Sequence, residues 1–308
     1  MIGLYYPTWS APWVSDPAKM DLANLKTEFP DIDVVYLSFC SPDNNYSGSK
    51  SFASTGLQFS MDFEVVVGAI KILQSKGCLV MLSVGGGAYW SSTKSLNSVG
   101  CALLMKDLGC DGIDIDWEND AAKDYEFTDA INNLDAAIPA AKKLSCAGFS
   151  TGAYGKDGSS YKGMNIDGLV KSGNKLDWIN IMTYDAGPPS QFDPLGALDC
   201  YRIYYSGPLN IGFEIGSQAW GGYLITRDDV TKNSAYAAKN DKRNGSFLWC
   251  YKKPGDPGVK EVIELSAKEF KKPTPNPIPT PPTVPKPTPP PAALSLKCPV
   301  CATVFTKQ

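Results

Sequence analysis

Residues 111–118 form a short run, DGIDIDWE, in which acidic side chains alternate with apolar ones. Because neighbouring side chains of a β-strand point to opposite faces, Asp114, Asp116 and Glu118 share one face of the predicted strand. A row of buried acids is costly unless the acids are paired or functional. An amphipathic edge strand with a wet acidic face is the alternative, but a solvated row has no reason to alternate with isoleucine and tryptophan. The run therefore predicts a strand that carries acid–base chemistry.

The rest of the chain supplies the elements that must position this strand. Short β-rich runs alternate with helical patterns, which is typical of a parallel α/β fold. Strands are predicted at about residues 2–6, 33–40, 78–84, 111–117, 143–149, 177–184, 208–213 and 246–250. Helices are predicted at about residues 17–28, 61–76, 93–108, 120–141, 164–171, 195–205, 228–239 and 258–270. Eight such units predict a single (β/α)8 TIM barrel; a doubly wound open sheet is the alternative, but no Gly-rich dinucleotide turn follows the first strand.

The composition excludes several kinds of chemistry. The 308 residues include no histidine, which removes Ser-His-Asp and Cys-His catalysis and every histidine-containing metal site. The net charge of −3 shows no basic excess for nucleic acid. No apolar run approaches the ~20 residues of a membrane-spanning helix. We expect a monomer without cofactor or metal, and without a nucleic-acid or membrane partner.

The first residues already resemble a strand, and no signal peptide is visible. Secretion would then require that the sequence begins at the mature protein or that export is non-classical, so the localisation stays open. Nine cysteines are present, seven of them scattered through the predicted barrel. Buried free thiols are the expectation for most of these seven.

The position of each acid along the strand suggests its role. In a TIM barrel the working groups lie at the carboxyl ends of the strands, so Glu118 should emerge at that rim, with Asp116 and Asp114 progressively deeper. Close carboxylates cannot all ionise cheaply. We therefore expect Asp114 and Asp116 to share a proton, and Glu118 to be protonated at rest. Asp111 has the opposite parity and lies at the strand start, which indicates a structural role.

The acidic run resembles the D-x-x-D-x-D-x-E signature of glycoside hydrolase family 18, the chitinases and endo-β-N-acetylglucosaminidases, and every position matches. Residues two apart on a strand are ~6.6 Å apart at Cα, so spacing alone does not exclude Asp116 as a nucleophile. The resemblance implies substrate assistance instead, in which the substrate's own 2-acetamido oxygen attacks and forms an oxazolinium ion. It implies that Glu118 is the acid/base, that Asp116 orients the acetamido group and that Asp114 tunes Asp116.

Two further motifs resemble those of the family. Residues 182–185, MTYD, resemble the sixth-strand M-x-Y-D motif. The likeness implies that Met182 faces inward, that Tyr184 holds the acetamido oxygen, and that Asp185 binds a sugar hydroxyl or steadies the acetamido end. Ser83 begins SVGG, which resembles the third-strand S-x-G-G motif, and we expect it to be a support rather than a catalyst.

Aromatic residues complete the predicted site. Trp249 matches the eighth-strand tryptophan that lies under the sugar at the cleavage site, and Tyr6 matches a tyrosine that lines the same subsite. Four more tryptophans fall just after predicted strands and hence on the rim: Trp9, Trp13, Trp90 and Trp220. Of these, we expect Trp90 and Trp220 to be outer sugar platforms.

Processive members of the family insert an α+β module between strands seven and eight. The stretch between Phe213 and Ser246 is too short for such a module, and a predicted helix occupies part of it. The fold class is therefore a TIM barrel without an α+β insertion module. Its groove should be shallow and open, which favours internal cleavage over processive cleavage from a chain end.

A proline-rich stretch separates the barrel from a short tail. Residues 273–291 read PTPNPIPTPPTVPKPTPPP, which favours an extended polyproline II spacer. We divide the chain into a barrel domain at 1–271, a linker at 272–293 and a tail at 294–308. In the tail, Cys298 and Cys301 have the spacing of half a zinc site. A disulfide or a free thiol pair is the simpler interpretation; zinc shared between chains and docking on an unknown partner are the alternatives.

Taken together, these residues predict an endo-acting retaining chitinase that acts on chitin or chitooligosaccharides. Hydrolysis of the N-glycan core by the same machinery is the first alternative. A chitin-binding lectin on an inactive hydrolase scaffold is the second, but such relatives typically lose the catalytic glutamate, and Glu118, Asp116 and Tyr184 are all present.

Overall fold

The computed structural model describes residues 1–90, 95–121, 123–155, 162–186, 193–219 and 224–271, together with the backbone of 295–297 and 304–306. Eight parallel strands pair in chain order and close into a barrel, which confirms the predicted TIM barrel. The strands are β1 (Ile2–Pro7), β2 (Val34–Cys40), β3 (Leu79–Gly85), β4 (Gly112–Trp117), β5 (Lys143–Phe149), β6 (Trp178–Met182), β7 (Leu209–Glu214) and β8 (Gly245–Trp249). Strand β8 pairs with β1, with Leu4 opposite Leu248, so the sheet closes on itself.

Helices connect the strands on the outside of the barrel. They are α1 (Asp21–Glu28), α2 (Phe63–Ser75), α3 (Gly87–Trp90), α4 (Ser98–Leu108), α5 (Asp124–Ala137), α6 (Ile166–Ser172), α7 (Pro194–Tyr204), α8 (Arg227–Asn240) and α9 (Val259–Phe270). Helix α4 begins later than predicted because Asn97 Oδ1 accepts the Gly100 N–H at 3.0 Å and caps its first turn. Helix α5 ends earlier because Ile138 is extended, as a residue before proline prefers. The short helix α3 was not predicted.

Side chains of each strand alternate between two cores. Outward-facing residues such as Ile113 and Ile115 of β4 pack in the large core between strands and helices. Inward-facing residues fill the barrel itself, where Tyr5 stacks on Tyr36 with ring centroids 4.5 Å apart. Since both faces are buried, period-two alternation separates two apolar surfaces in most strands, and only in β4 does one surface carry more than one acid.

Polar side chains tie the amino ends of the strands together in pairs. The residue just before each even-numbered strand accepts a hydrogen bond from a backbone N–H at the start of the preceding odd-numbered strand. The acceptors are Asp33, Asp111, Asp177 and Asn244, and their donors are Ile2, Val80, Leu144 and Leu209, at 2.8, 2.8, 3.0 and 2.9 Å. We call these four side chains the amino-end acceptors. Asp111 therefore lies where its parity predicted, in a structural position.

Beyond the barrel, the predicted linker at 272–293 lies outside the described residues, as do Cys298 and Cys301. In the tail, the backbone forms one antiparallel pair, β9 (Ser295–Lys297) with β10 (Val304–Thr306). Helix α9 ends at Phe270, next to the predicted domain boundary.

Six cysteines of the barrel are free and buried, as the sequence analysis expected: Cys40, Cys78, Cys101, Cys110, Cys146 and Cys250. Within the described ranges, no helix combines the length and the apolar composition that a bilayer span requires. In the same part of the chain, no group of three or more carboxylates or thiols is placed to hold a metal ion.

Candidate active site

Strand β4 carries its acids to the mouth of the barrel, by which we mean the carboxyl ends of the eight strands. Asp114 and Asp116 face inward and are 0% and 3% exposed, and Glu118 follows the strand with a partly exposed side chain. Ile113, Ile115 and Trp117 face the helices, so the alternation predicted from the sequence is present. Three carboxyl groups at increasing height therefore line one wall of the mouth.

Asp114, the deepest acid, is held by three hydroxyl groups. Ser145 and Tyr5 donate to it at 2.6 and 2.8 Å, and Ser83 donates at 2.9 Å. Burial raises the pKa of Asp114, while these three hydrogen bonds lower it. Among the hydrogen bonds of the described residues, none joins Asp114 to Asp116. The two acids therefore do not share a proton through a direct hydrogen bond, as we had expected. Their charges interact instead.

Asp116 is buried, and one of its carboxyl oxygens is available to accept a hydrogen bond. Burial, followed by the charges of Glu118 and Asp114, raises its pKa well above the ordinary value. Its Oδ1 atom has no hydrogen-bond partner among the described residues. A buried polar atom without a partner is rare and marks a place where a bound group would complete the hydrogen bonding. Asp116 is thus prepared to accept a hydrogen bond from a ligand in the mouth.

Glu118 lies at the rim, against the start of helix α3, which follows β3. Its Oε1 atom accepts the Gly87 N–H at 2.8 Å. Burial and the charge of Asp185 raise the pKa of Glu118, whereas the Gly87 hydrogen bond opposes them. A carboxyl group with a raised pKa at a partly exposed rim can act as a general acid.

The glycines of the SVGG motif allow this approach. Gly85 has φ +119°, and a Cβ atom there would lie 2.3 Å from the Asp116 carbonyl oxygen. Any larger residue would push β3 away from β4 at the height of Asp116. Ser83, two residues earlier, faces inward and supports Asp114, which is where the sequence analysis expected a supporting residue.

The MTYD motif begins at the end of β6, two strands along the barrel from the acids of β4. Met182 lies in the inner core, and Tyr184 packs against it with its ring 6.0 Å from Phe247. Burial and, next in size, the charge of Asp116 raise the pKa of Tyr184 well above its ordinary value, so its hydroxyl remains a donor. Asp185 has a left-handed backbone, φ +52°, and its N–H donates to Gln218 Oε1 at 2.7 Å.

Trp249 ends β8 and lies among aromatic rings at the mouth. It stacks on Phe39 with centroids 5.4 Å apart and meets Tyr5 edge-on at 5.9 Å. Trp9, which is 49% exposed, lies 6.4 Å from Trp249. These rings form a continuous apolar surface at the mouth, of the kind that packs against the C–H face of a pyranose, and one of them, Tyr5, donates its hydroxyl to Asp114.

The expectation for Tyr6 was wrong. Residues Ile2, Leu4 and Tyr6 share the outer face of β1, so the Tyr6 ring stacks on Tyr251 outside the barrel and its hydroxyl donates to Asp21. Tyr5 has the inward parity instead, and its hydroxyl binds Asp114.

The expectation for Trp90 as an exposed platform was also wrong. The side chain is 4% exposed, because helix α3 turns it back into the core, where it packs on Trp117 and its indole N–H donates to the Asp116 carbonyl. Trp220 lies outside the described residues. Among the described residues, the exposed tryptophans are Trp9 and Trp13, at 49% and 67%.

Sequence analysis missed one acid of the mouth. Glu214 ends β7 with the same inward parity as Asn210, is 2% exposed and forms an ion pair with Lys253. Burial raises the pKa of Glu214 to about 7, although Lys253 opposes the shift. The signal available in the sequence was an acid at the carboxyl end of a predicted strand.

Comparison with known proteins places this geometry in a family. The sequence profile of Glycosyl hydrolases family 18 matches residues 2–220. Endochitinase 1 of Metarhizium anisopliae is 27% identical over 303 residues, which cover 78% of this chain and 70% of the relative. A chitinase of Plasmodium falciparum (isolate 3D7) is 29% identical over 169 residues. That match covers 48% of this chain and 42% of the relative, so the chain spans less than half of that protein.

Solved structures share the barrel. A family 18 chitinase from Pseudoalteromonas aurantia superposes with a TM-score of 0.64 at 23% identity, over 87% of this chain and 99% of that one. A fungal endo-beta-N-acetylglucosaminidase of family 18 superposes with a TM-score of 0.61 at 15% identity, over 87% and 96%. At such identities the likeness concerns the fold. The profile match, however, spans most of the chain, and the chain therefore belongs to glycosyl hydrolase family 18.

Proposed function

We propose that this chain is an endo-acting, retaining chitinase that hydrolyses β-1,4-linked N-acetylglucosamine by substrate assistance. The observation that carries the proposal is the placement of the partnerless Asp116 Oδ1 below Glu118, on one wall of the mouth. This arrangement suits a substrate that offers an amide N–H beside the bond to be cut.

In this proposal each group has one role. Glu118 protonates the leaving glycosidic oxygen and later takes a proton from water. Asp116 accepts the acetamido N–H and stabilises the positive charge of the oxazolinium ion. The Tyr184 hydroxyl donates to the acetamido oxygen and holds it for attack. Asp114, fixed by its three hydroxyl donors, keeps a negative field beneath Asp116.

The segment between β7 and β8 supports internal cleavage. In its described part, helix α8 (Arg227–Asn240) is the regular element between Glu214 and Gly245. A groove without a high wall at this side admits a long polymer sideways, so an enzyme of this shape should release oligosaccharides of several lengths from the start of the reaction.

The similarity to a fungal endo-beta-N-acetylglucosaminidase supports a second candidate, hydrolysis of the chitobiose core of N-glycans. The two substrates share the 2-acetamido group and differ in what surrounds it. The lectin alternative is disfavoured, because Glu118, Asp116 and Tyr184 are all present and lie around one mouth.

Substrate assistance can be tested with substrates matched except for the acetamido group. We expect aryl chitooligosaccharides to be cleaved and the corresponding cellooligosaccharides to be left intact, because the latter lack the internal nucleophile. A thiazoline analogue of the oxazolinium ion should inhibit, since it mimics the cyclised intermediate. Trapping of a covalent sugar adduct on Asp116 would contradict the mechanism.

The choice between substrates needs a separate measurement. Soluble products from colloidal chitin, of mixed lengths at early times, would support the chitinase. Release of intact glycans from a high-mannose glycoprotein, with chitin left unchanged, would favour the second candidate.

We also propose that hydrolysis of soluble substrates requires only the barrel. A chain ending after Lys272 should hydrolyse short chitooligosaccharides at the parent rate, because the proposed catalytic groups all precede residue 250. Loss of that activity would show that the linker or the tail contributes to the barrel.

A further inference from the structure

Two asparagines lie inside the barrel, where the proposed mechanism gives them no role. Asn180 is the middle residue of β6 and Asn210 the second residue of β7, and they are 0% and 1% exposed. The interior of a TIM barrel is ordinarily filled by branched apolar side chains, and a buried amide is costly unless its hydrogen bonds are made. Two amides on adjoining strands therefore require an explanation beyond packing.

The two amides begin a line of hydrogen bonds that ends on Asp114. Asn210 Nδ2 donates to Asn180 Oδ1 at 2.9 Å, and Asn180 Nδ2 donates to the Tyr5 hydroxyl at 3.2 Å. The Tyr5 hydroxyl in turn donates to Asp114 Oδ2 at 2.8 Å. We call Asn210, Asn180 and Tyr5 the interior chain. Each of the three is at most 2% exposed, so the interior chain reaches Asp114 through the barrel core rather than through solvent.

The Asp114 carboxylate fixes the direction of the interior chain. An ionised Asp114 can only accept, so the Tyr5 hydroxyl must donate to it and can receive a hydrogen bond only on its oxygen. The Asn180 amide must therefore turn its nitrogen to Tyr5 and its oxygen to Asn210. This order leaves the Asn210 Oδ1 atom without a partner among the described residues, which is unfavourable for a buried oxygen. An arrangement that is kept in spite of this penalty indicates a function for the Asn180–Tyr5 hydrogen bond.

Tyr36 holds both partners of the Asn180–Tyr5 contact. Its ring stacks on Tyr5 with centroids 4.5 Å apart, and its hydroxyl donates to Asn180 Oδ1 at 3.5 Å. The Trp178 indole N–H donates to the Tyr36 hydroxyl at 2.8 Å and fixes it in turn. The Tyr5 ring and the Asn180 amide are thus held by one neighbour, so their contact is in place before a ligand binds.

We propose that Asn180 is a positioning residue for hydrolysis, which acts through Tyr5 on Asp114 without touching the sugar. The inference rests on the proposed function, because it assumes that a negative charge on Asp114 assists formation of the oxazolinium ion. A hydroxyl that accepts a hydrogen bond becomes a stronger donor, so Asn180 strengthens the Tyr5 hydrogen bond to Asp114. It also holds the hydroxyl against the carboxylate, which keeps Asp114 ionised beneath Asp116.

The pH profile of the reaction should reveal this role. Four titratable groups interact with the charge of Asp114: Tyr5 on β1, Tyr36 on β2, Asp116 on β4 and Cys146 on β5. Burial raises the pKa of Asp114, and the Tyr5 hydroxyl is one of the three donors that lower it. Weakening this donor raises the pKa of Asp114 further, so Asp114 becomes neutral at a higher pH. The acidic limb of kcat/KM should then move to higher pH.

The test is a pair of double-mutant cycles on hydrolysis of an aryl chitooligosaccharide. Asn180→Leu removes the amide and nearly keeps its shape, and it should lower kcat about three- to tenfold with KM unchanged within about twofold. In a Tyr5→Phe background the same substitution should change kcat less than about twofold, because no hydroxyl remains for Asn180 to act on. In a Ser83→Ala background it should keep its full effect, since Ser83 reaches Asp114 from β3, independently of Tyr5.

The same proteins give the pH readout, because kcat/KM reports the ionisation of the free enzyme. At about pH 5 the loss of kcat/KM caused by Asn180→Leu should be about three times the loss at about pH 7. If Asn180→Leu does not fold, Asn180→Ala, which leaves space instead of filling it, enters both cycles with the same expectations.

The remaining outcomes would contradict the proposal. A loss of kcat that is equally large with Tyr5→Phe, a loss that also disappears with Ser83→Ala, or an acidic limb that does not move would overturn this inference and leave the proposed function standing. An unchanged kcat in folded Asn180→Leu would do the same. A parent protein that does not hydrolyse the aryl chitooligosaccharide at any pH would overturn the proposed function together with the inference.

Discussion

Asp111 and Asp114 belong to the same acidic run, yet they serve opposite ends of the barrel. At the amino end, Asp111 accepts the Val80 N–H and the Gln74 amide, and each of the other amino-end acceptors likewise binds a backbone N–H of a neighbouring strand. At the mouth, Asp114 faces Asp116 inside the barrel, and burial raises the pKa of both. Aspartate thus joins neighbouring strands by hydrogen bonds at one end of the barrel and places ionisable groups close together at the other end.

The difference follows from two properties of strand position. The parity of a residue decides whether its side chain faces a neighbouring backbone or the barrel interior. Its position along the strand decides whether it lies among the backbone N–H groups of the amino end or near the open mouth. Acids at the amino end should therefore matter for stability and acids at the mouth for chemistry. Substitutions at the two ends can test this separation.

Glu118→Gln should produce the largest effect and only on chemistry. The amide keeps the shape and the Gly87 hydrogen bond but cannot donate a proton to the leaving oxygen, so turnover should fall by ~10²–10⁴-fold. Hydrolysis of an aryl chitooligosaccharide measures turnover, and calorimetry should still detect oligosaccharide binding. Activity within a factor of about three of the parent would remove Glu118 from the catalytic role.

The acids of the mouth should make the protein less stable as pH rises. Burial raises the pKa of Glu214 from 4.5 to about 7, so the folded state binds this proton more tightly than the unfolded state does. Its stabilising contribution is complete below pH 4.5 and is lost as pH rises through 7. The free energy of unfolding, measured by urea denaturation, should fall over this window by about 2–3 kcal/mol more in the parent than in Glu214→Gln. Equal slopes in the two proteins would contradict the assignment.

Asp111→Ala should show the reverse pattern to Glu118→Gln. Loss of the acceptor for Val80 and Gln74 should cost about 1–2 kcal/mol of unfolding free energy, whereas kcat at a permissive temperature should stay near the parent value. Asp111→Asn is the matched control, because its amide oxygen can still accept. A large loss of kcat in folded Asp111→Ala would mean that the two ends are not separable.

Trp9→Ala should have the smallest effect and should concern only binding. The side chain is half exposed beside Trp249, so its removal should raise KM for long chitooligosaccharides about three- to fivefold and leave the melting temperature unchanged. Trp90→Phe is the contrasting variant, because Trp90 is buried and bonded to the Asp116 carbonyl. It should lower the melting temperature, and a variant that changed only KM would show that Trp90 contacts sugar after all.

Most of the fold was predictable because each strand is short, bounded and followed by a helical pattern. The β4 acids were predictable too, since their alternation with isoleucine and tryptophan places all of them on one face of the strand. Strand β1 was harder. Its residues are apolar or aromatic on both faces, so the sequence alone does not show which of Tyr5 and Tyr6 faces inward, and assignment by resemblance chose the wrong neighbour.

The other misses depend on local geometry that a sequence pattern does not contain. Trp90 follows a predicted strand, but the four-residue helix α3 turns it into the core between strands and helices, and a helix this short leaves no periodic signal. Glu214 ends β7 whereas Lys253 lies in the turn after β8, and the two meet only because that turn folds towards β7. Neither residue forms a motif by itself, so their pairing could be found only in three dimensions.

The six buried thiols can report when the barrel opens. Each is 7% exposed or less, and burial raises the pKa of Cys78 and Cys250 to about 12, so a thiol-reactive dye should label them only when the structure opens. The labelling rates of five of them would measure how often the barrel opens. A bound sugar stabilises the folded barrel and should slow the labelling of all six thiols. Cys250 adjoins Trp249 at the mouth, so its labelling should slow more than that of the others, and the difference between its peptide and the others in a mass spectrum would report occupancy of the mouth.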